Sequence, residues 1–339
     1  MKPKAILTSD VHFNLQTLEL ASKALQMAVN KANELEVPLI IAGDLHDTKA
    51  NIRGECINTL RATLRTLSAD KQCFILRGNH DAIHEKSAEH SLSFLEDLAT
   101  IVSRPNFYNE LSAFNGKSIW LFPYQHDAKQ MEKDLKKVDP NSLIIMHQGI
   151  VGSNMGDYVQ DKSAIPQDWI KDFRVISGHY HTRQDIKTGR PRKGGVGLAS
   201  YIGNPFTLGY GESKDPEKGF QILMSDGTLE FVPTNLRKHI VYEIEWNKVW
   251  PKLETKPGDL VLVKLTGTRE ELSKISKASL GAQLGLIDYR LDLIPLDVKS
   301  SKPKQKKQSQ HEILDSLIDT ASNVSDDQKT RVKKLWRGL

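Results

Sequence analysis

Five short clusters of this 339-residue chain hold side chains suited to metal-assisted hydrolysis: Ser9-Asp10-Val11-His12, Gly43-Asp44, Gly78-Asn79-His80-Asp81, His147, and Gly178-His179-Tyr180-His181. Oxygen and imidazole donors without thiolate suit manganese, iron or zinc in a hydrolytic centre, whereas an all-oxygen set would point to magnesium or calcium. The two cysteines, Cys56 and Cys73, lie outside the clusters, so thiolate-bound zinc is not expected. A metal pair about 3.5 to 4 Å apart needs one carboxylate that touches both ions and neutral imidazoles that add ligands without adding negative charge. Asp44 is the expected bridge. Such a pair lowers the pKa of a shared water from about 15.7 toward about 7, so attack on a phosphate ester needs no protein nucleophile.

Each cluster must be positioned by something rigid, and each follows a short apolar run: Ala5-Ile6-Leu7, Pro38-Leu39-Ile40-Ile41-Ala42, Cys73-Phe74-Ile75-Leu76, Leu143-Ile144-Ile145-Met146 and Val175-Ile176. Runs this short and rich in branched residues predict buried strands. The clusters then fall on loops at one edge of a sheet, where active sites are commonly built. A single Asp or His at a strand end is more often a turn former or a satisfied polar group. Seven such residues in this order would need many independent coincidences. His84, His90, His126, His239 and His311 have no spacing relation to the clusters and are expected in surface or half-buried roles.

The order Asp-x-His, Gly-Asp, Gly-Asn-His-Asp, His, Gly-His-x-His resembles the calcineurin-like metallophosphoesterases over residues 5–182. Tyr201-Ile202-Gly203-Asn204-Pro205, followed by Lys218-Gly219-Phe220, further resembles the end of the nuclease domain in SbcD-type DNA repair nucleases and their phage relatives. The resemblance implies an α/β fold, a four-layer α/β/β/α sandwich, with a small α+β capping domain and a C-terminal helical tail. It places Asp10, His12, Asp44 and His181 on one metal and Asp44, Asn79, His147 and His179 on the other, with manganese as the expected pair. His80 becomes the acid at the leaving sugar oxygen, a role suited to imidazole, with Asp81 orienting it. Where relatives carry Phe after Gly-Asp-Leu, this chain has His46, expected to pack as that Phe does, with contact to the substrate as the alternative. Asp47 is expected on a ligand histidine or a metal-bound water.

The chain is long enough for a large core and an appendage. Two cysteines exclude a disulfide framework. No apolar stretch approaches a signal peptide or membrane span, so a soluble, cytoplasmic protein is expected, in a bacterial or phage-infected cell. Charge is uneven: residues 299–339 hold ten Lys and Arg against five Asp and Glu, while the rest carries 37 of each. A basic tail on a neutral body implies an acidic partner of its own.

Four segments are expected: a nuclease domain at 1–238, a capping, DNA-contacting domain at 239–298, a basic linker at 299–311 and a helical partner-binding segment at 312–339. Residues 299–310 of the linker hold no aliphatic or aromatic residue and read as solvated, either as a plain tether or with lysines that meet DNA phosphates. Beyond it, apolar residues at helical spacing and a Ser325-to-Gln328 capping box predict two short helices whose stripes cannot bury one another completely. The resemblance makes the partner an SbcC-like SMC-type ATPase; Leu317, Ile318, Leu335 and Trp336 are the expected anchors on separate grounds, because large buried side chains dominate such interfaces. It also implies a homodimer, completing a heterotetramer, through amphipathic helices at Glu55–Leu67 and Ala88–Ala99, although packing onto their own sheet explains those stripes equally well. Lys49, Arg53, Arg77 and Arg183 flank the metal loops and are candidate phosphate contacts for double-stranded DNA ends and single-stranded DNA. The expected activity is a two-metal DNA exonuclease and endonuclease in repair, recombination and replication. The alternatives are a phosphodiesterase or phosphatase acting on small or protein-bound phosphates, and a catalytically idle scaffold for an ATPase.

Overall fold

The computed structural model describes residues 1–296, apart from 50, 71, 85, 109–110, 112–117, 141, 156–163, 192–195, 216 and 251, together with 325 and 328–332. In chain order the elements are β1 (Pro3–Thr8), α1 (Leu18–Leu35), β2 (Leu39–Ile41), α2 (Gly54–Leu64), β3 (Cys73–Leu76), β4 (Thr100–Val102), β5 (Asn106–Phe107), β6 (Ile119–Phe122), α3 (Ala128–Leu135), β7 (Leu143–His147), β8 (Arg174–Gly178), β9 (Gln184–Lys187), β10 (Leu198–Tyr201), β11 (Gly219–Met224), β12 (Leu229–Pro233), β13 (His239–Glu245), β14 (Leu260–Gly267), α4 (Arg269–Ser273), α5 (Lys277–Leu284) and β15 (Arg290–Pro295). All five apolar runs preceding the polar clusters are strands: β1, β2, β3, β7 and β8.

Two six-stranded sheets, ordered β12-β11-β1-β2-β3-β4 and β5-β6-β7-β8-β10-β9, carry the site. Their strands alternate between two apolar environments, as the two-residue period of a strand requires. Ile6, Leu39, Ile41 and Ile75 join α1 residues Ala21, Ala24, Leu25 and Ala28 on the outer side of the first sheet. Ala5, Leu7, Ile40 and Phe74 point the other way and meet Leu121, Leu143, Ile145 and Ile176 of the second sheet. From that sheet's far face Ile144, Met146 and Val175 pack on Met131 and Leu135 of α3. The layers therefore run α/β/β/α, and strands buried on both faces read as unbroken apolar runs.

The third sheet, β13-β14-β15, is parallel throughout. It has its own core, where Val261, Val263 and Leu265 pack with Leu272, Leu280 and Leu284 of α4 and α5. Thr268 and Glu271 cap α4 reciprocally.

Two expectations change. No helix spans Ala88–Ala99: a 3-10 turn at Ser93–Leu95 replaces it, and Leu92 and Leu95 are both 0% exposed in the chain's own core. The other expected helix, Glu55–Leu67, is shorter: α2 ends at Leu64, with Leu60 and Leu64 buried in the same core and Ile57 and Leu67 only partly buried. The physical reason is that leucines at 92, 95 and 98 suit a three-residue turn as well as a helix, and a bridge between Ala82 and His90 ties the segment down. Leu317, Ile318, Leu335, Trp336 and the linker lie outside the described residues. Near the C-terminus, the Ser325 N–H donates to Gln328 Oε1 at 3.0 Å and the Gln328 N–H to Ser325 Oγ at 3.4 Å, the reciprocal cap expected of that pair. No helix among the described residues is long and apolar enough to cross a membrane.

Candidate metal centre

The polar loops leave β1, β2, β3, β7 and β8 at the same edge and bond to one another before any ion is considered. Asp10 N–H donates to the Gly43 carbonyl at 3.0 Å, His12 N–H to Asp44 O at 3.1 Å and Phe13 N–H to Leu45 O at 3.0 Å. His147 ends β7 and pairs in register with Gly178 of β8, so His179 follows immediately beside it. The His147 Nδ1–H donates across to Ala42 O at 2.7 Å, joining the two sheets.

The loops are conformationally unusual. Asp10, His12, Asp44 and His179 all have positive φ, at 52°, 49°, 49° and 91°. Left-handed backbone is unfavourable for side chains other than Gly, and it persists only where the surroundings enforce it. Two glycines make room for this. A Cβ on Gly43, itself at φ 92°, would lie 2.2 Å from His147 Nδ1, and one on Gly78 would lie 2.1 Å from Asp44 Oδ1. Gly78→Ala is therefore expected to displace the Asp44 carboxylate, cost about 1–3 kcal/mol of overpacking and weaken metal binding. Thermal denaturation and metal titration of the variant check this.

Two groups of candidate ligands converge: Asp10, His12 and His181, and Asp44, His147 and His179. A third grouping, His12, Asp47 and His80, shares a ring with the first. Asp44 Oδ2 lies 3.2 Å from His147 Nε2 and 3.9 Å from His12 Nε2, so one carboxylate oxygen faces both groups. The Asn79 Oδ1 completes the second group, 3.1 Å from His147 Nε2 and 2.9 Å from His179 Nδ1. Asp10 is wholly buried and both its oxygens accept the His179 N–H at 3.1 Å.

The donor chemistry fits cations. His12 Nδ1 faces Asp47 Oδ1 at 3.2 Å, and His181 Nδ1 faces Glu212 Oε1 at 2.8 Å. With protons drawn to those nitrogens, the two Nε2 atoms present lone pairs to each other across 3.2 Å. Lone pairs facing so closely, beside two buried carboxylates, repel unless a positive charge sits among them. Burial would lower the His147 imidazole, but Asp44 outweighs it and, with Asp10, carries it up to about 9. Burial and the neighbouring His147 take His179 down to about 4. Asp44 itself is held well below the usual carboxylate range, because the histidines around it overcome the burial that would raise it.

These side chains match a known pattern in sequence. Residues 3–185, more than half of the chain, match the family described as calcineurin-like phosphoesterase. The chain belongs to this family. A calcineurin-like phosphoesterase is a metal-dependent enzyme, and its hydrolytic chemistry acts on phosphate esters. The chain is also similar to exonuclease subunit 1 of Enterobacteria phage T4, 25% identical over 205 residues, which are 58% of this chain and 56% of that protein. The match thus spans little more than half of that relative. In structure it is similar to a hypothetical protein from Thermus thermophilus, at 13% identity and a TM-score of 0.34, covering 60% of this chain and 77% of the other.

Other expected residues fall out differently. Asp81 does not touch His80: its fully buried carboxylate accepts the N–H groups of Gly78 at 2.8 Å, Leu45 at 3.1 Å and His46 at 3.3 Å, pinning the two metal loops together. His80 is held instead by the Asp47 carbonyl, 2.8 Å from its Nδ1. The Asp47 carboxylate goes to His12. His46 is 0% exposed, as expected of a ring in the Phe position, with Nε2 2.6 Å from Ser91 Oγ. Arg77 is not presented to a substrate. It is 4% exposed, and its guanidinium donates to the carbonyls of Ser87 and Tyr124. The apolar strand end that brings Arg77 to the loop also draws it inside. Lys49 and Arg53 are exposed, and exposed Arg183 lies over the Phe231 ring at 4.1 Å. Glu212 was not singled out by any motif. It stands 31 residues beyond His181, in a 3-10 turn at Tyr210–Glu212.

Proposed function

We propose that this chain is a divalent-metal DNA nuclease of the SbcD type, acting as exonuclease and endonuclease with an SbcC-like SMC-type ATPase in repair, recombination or replication. The observation that carries the reading is the Asp44 oxygen facing two separate histidine groups. Its nuclease part is supported by the likeness to a phage protein described as an exonuclease subunit, and by the Tyr201 to Lys218-Gly219-Phe220 element.

Asp10, His12, Asp44 and His181 would hold one cation, and Asp44, Asn79, His147 and His179 the other, both manganese in this reading. When bound, the pair supplies Lewis acidity and an activated water. The chain's own residues do the rest. Asp10, wholly buried, and Asp44, 2% exposed, keep negative charge away from solvent, where it acts at low dielectric. His80, with Nδ1 engaged at the Asp47 carbonyl, turns Nε2 toward the phosphate and hands a proton to the leaving sugar oxygen. Lys49, Arg53 and Arg183 contact backbone phosphates. The unit at 239–298 serves as the DNA-contacting capping domain, and residues 312–339 bind the ATPase through Leu317, Ile318, Leu335 and Trp336.

End-labelled linear duplex DNA is the test substrate, with bis-para-nitrophenyl phosphate as the small diester. Both should be cleaved in manganese, and EDTA should reduce both rates to background until manganese is restored. Hydrolysis of the small diester with DNA left intact, even with an SbcC-like partner and ATP, would replace this reading with a small-substrate phosphodiesterase. Failure on both, with an altered partner ATPase, would indicate a scaffold.

A further inference from the structure

The His181 ring is only partly enclosed: its side chain is 32% exposed, against 5% for His12 and 0% for His147. Packing alone therefore does not hold its ring, and the structure shows what does. Glu212 Oε1 lies 2.8 Å from His181 Nδ1. Its other oxygen accepts the Leu208 N–H at 3.1 Å and Asn204 Nδ2 at 3.0 Å, and faces Lys218 Nζ at 3.2 Å. Lys218, 7% exposed, donates as well to the His181 carbonyl at 3.0 Å and to Asp215 Oδ2 at 2.6 Å. Asp215 Oδ1 then accepts the Thr182 hydroxyl at 2.8 Å. One buried ammonium thus braces both the backbone of His181 and the carboxylate on its ring. Burial would raise the Glu212 carboxyl, but the bonds from His181 and the charge of Lys218 hold it well below the usual carboxylate range.

We infer that Glu212, braced by Lys218, Asn204 and the Leu208 N–H, is the positioning residue that fixes the ring orientation and tautomer of His181 and so sets the affinity of the cation held by Asp10, His12 and His181. The inference rests on the two-metal reading above. A carboxylate on Nδ1–H leaves Nε2 as the only donor to a metal, aims it and makes it more basic; losing such a partner lowers metal affinity by about 10- to 100-fold. In the other group His147 is oriented separately, by Ala42 O and not by Glu212. The Lys-Gly-Phe element thereby gains a role: its lysine, just before β11, supports the metal ligand.

Calorimetric titration of the full chain with manganese tests this, with thermal unfolding of the chelated protein measured beside it. Wild type should show two sites. Glu212→Ala should weaken one of them by about 10- to 100-fold and leave the other within about twofold. Glu212→Gln, which retains an acceptor for Nδ1–H but loses the charge, should fall between, and Lys218→Met should weaken the same site. Two wild-type affinities in Glu212→Ala would overturn the inference, as would a parallel loss at both sites with a lowered melting temperature. If the alanine variant does not fold, the glutamine variant decides: unchanged affinities overturn the inference, and selective weakening supports it. A wild-type chain binding fewer than two ions would overturn the two-metal reading itself.

Discussion

Asp44→Asn is expected to remove phosphodiester hydrolysis by more than about 10³-fold, because losing even one preorganised electrostatic group in a hydrolytic site typically costs about 10² to 10³, and this oxygen faces both ligand groups. The substitution is a clean one. Asn tolerates the left-handed conformation that Asp44 adopts at φ 49°, and its amide oxygen can still accept the His80 N–H that Oδ1 accepts at 2.8 Å. What disappears is the negative charge, and with it the ability to bind two cations at once. Metal analysis of the purified variant should find fewer than two equivalents of manganese, while circular dichroism remains that of the wild type. Retention of both ions with full activity would mean that another carboxylate bridges.

His80→Ala should separate binding from chemistry. Its side chain is 36% exposed and anchored only through Nδ1 and its backbone N–H, so truncation leaves the core intact. General-acid assistance is worth about 10² to 10⁴ in rate. The expected result is therefore a loss of that order in the maximal rate on DNA, with two manganese ions still bound. A substrate whose leaving group needs no proton, such as bis-para-nitrophenyl phosphate, should lose much less. Equal losses on the two substrates would assign His80 to phosphate positioning or metal binding instead of proton delivery; its closeness to His12, with ring centroids 4.8 Å apart, makes that comparison informative.

The strands beneath the site were legible because burial on both faces forbids polar interruption, which leaves apolar runs that stop where the loops begin. The residues drawn together by those loops were legible for the complementary reason: Gly beside Asp, Asn or His marks close approach, and Gly78 shows how close. Residues that act through backbone groups were not. Nothing in the spacing of Asp81 says that it meets the N–H groups of Leu45 and His46 and not the ring of its neighbour. Glu212 was hidden for another reason, since a turn has no period and its partner stands 31 positions away. Arg77 was misread because charge argues for solvent, whereas a guanidinium with carbonyls in reach can be buried. The leucines near 92–98 show the limit of helical spacing as a signal, because a short 3-10 turn inside the core presents the same repeat.

The antiparallel pairing of β1 with β11 sets Ala5 against Leu223. The strand that delivers Asp10 and His12 is thus flanked on one side by a strand made more than two hundred residues later, and the carboxylate behind His181 comes from the same late stretch. On the ribosome, the growing chain carries its earliest candidate ligands long before the parts that hold them in place exist. A phosphoesterase site built this way stays incomplete until the chain has been made past Glu212 and β11, a timing that follows from strand order alone.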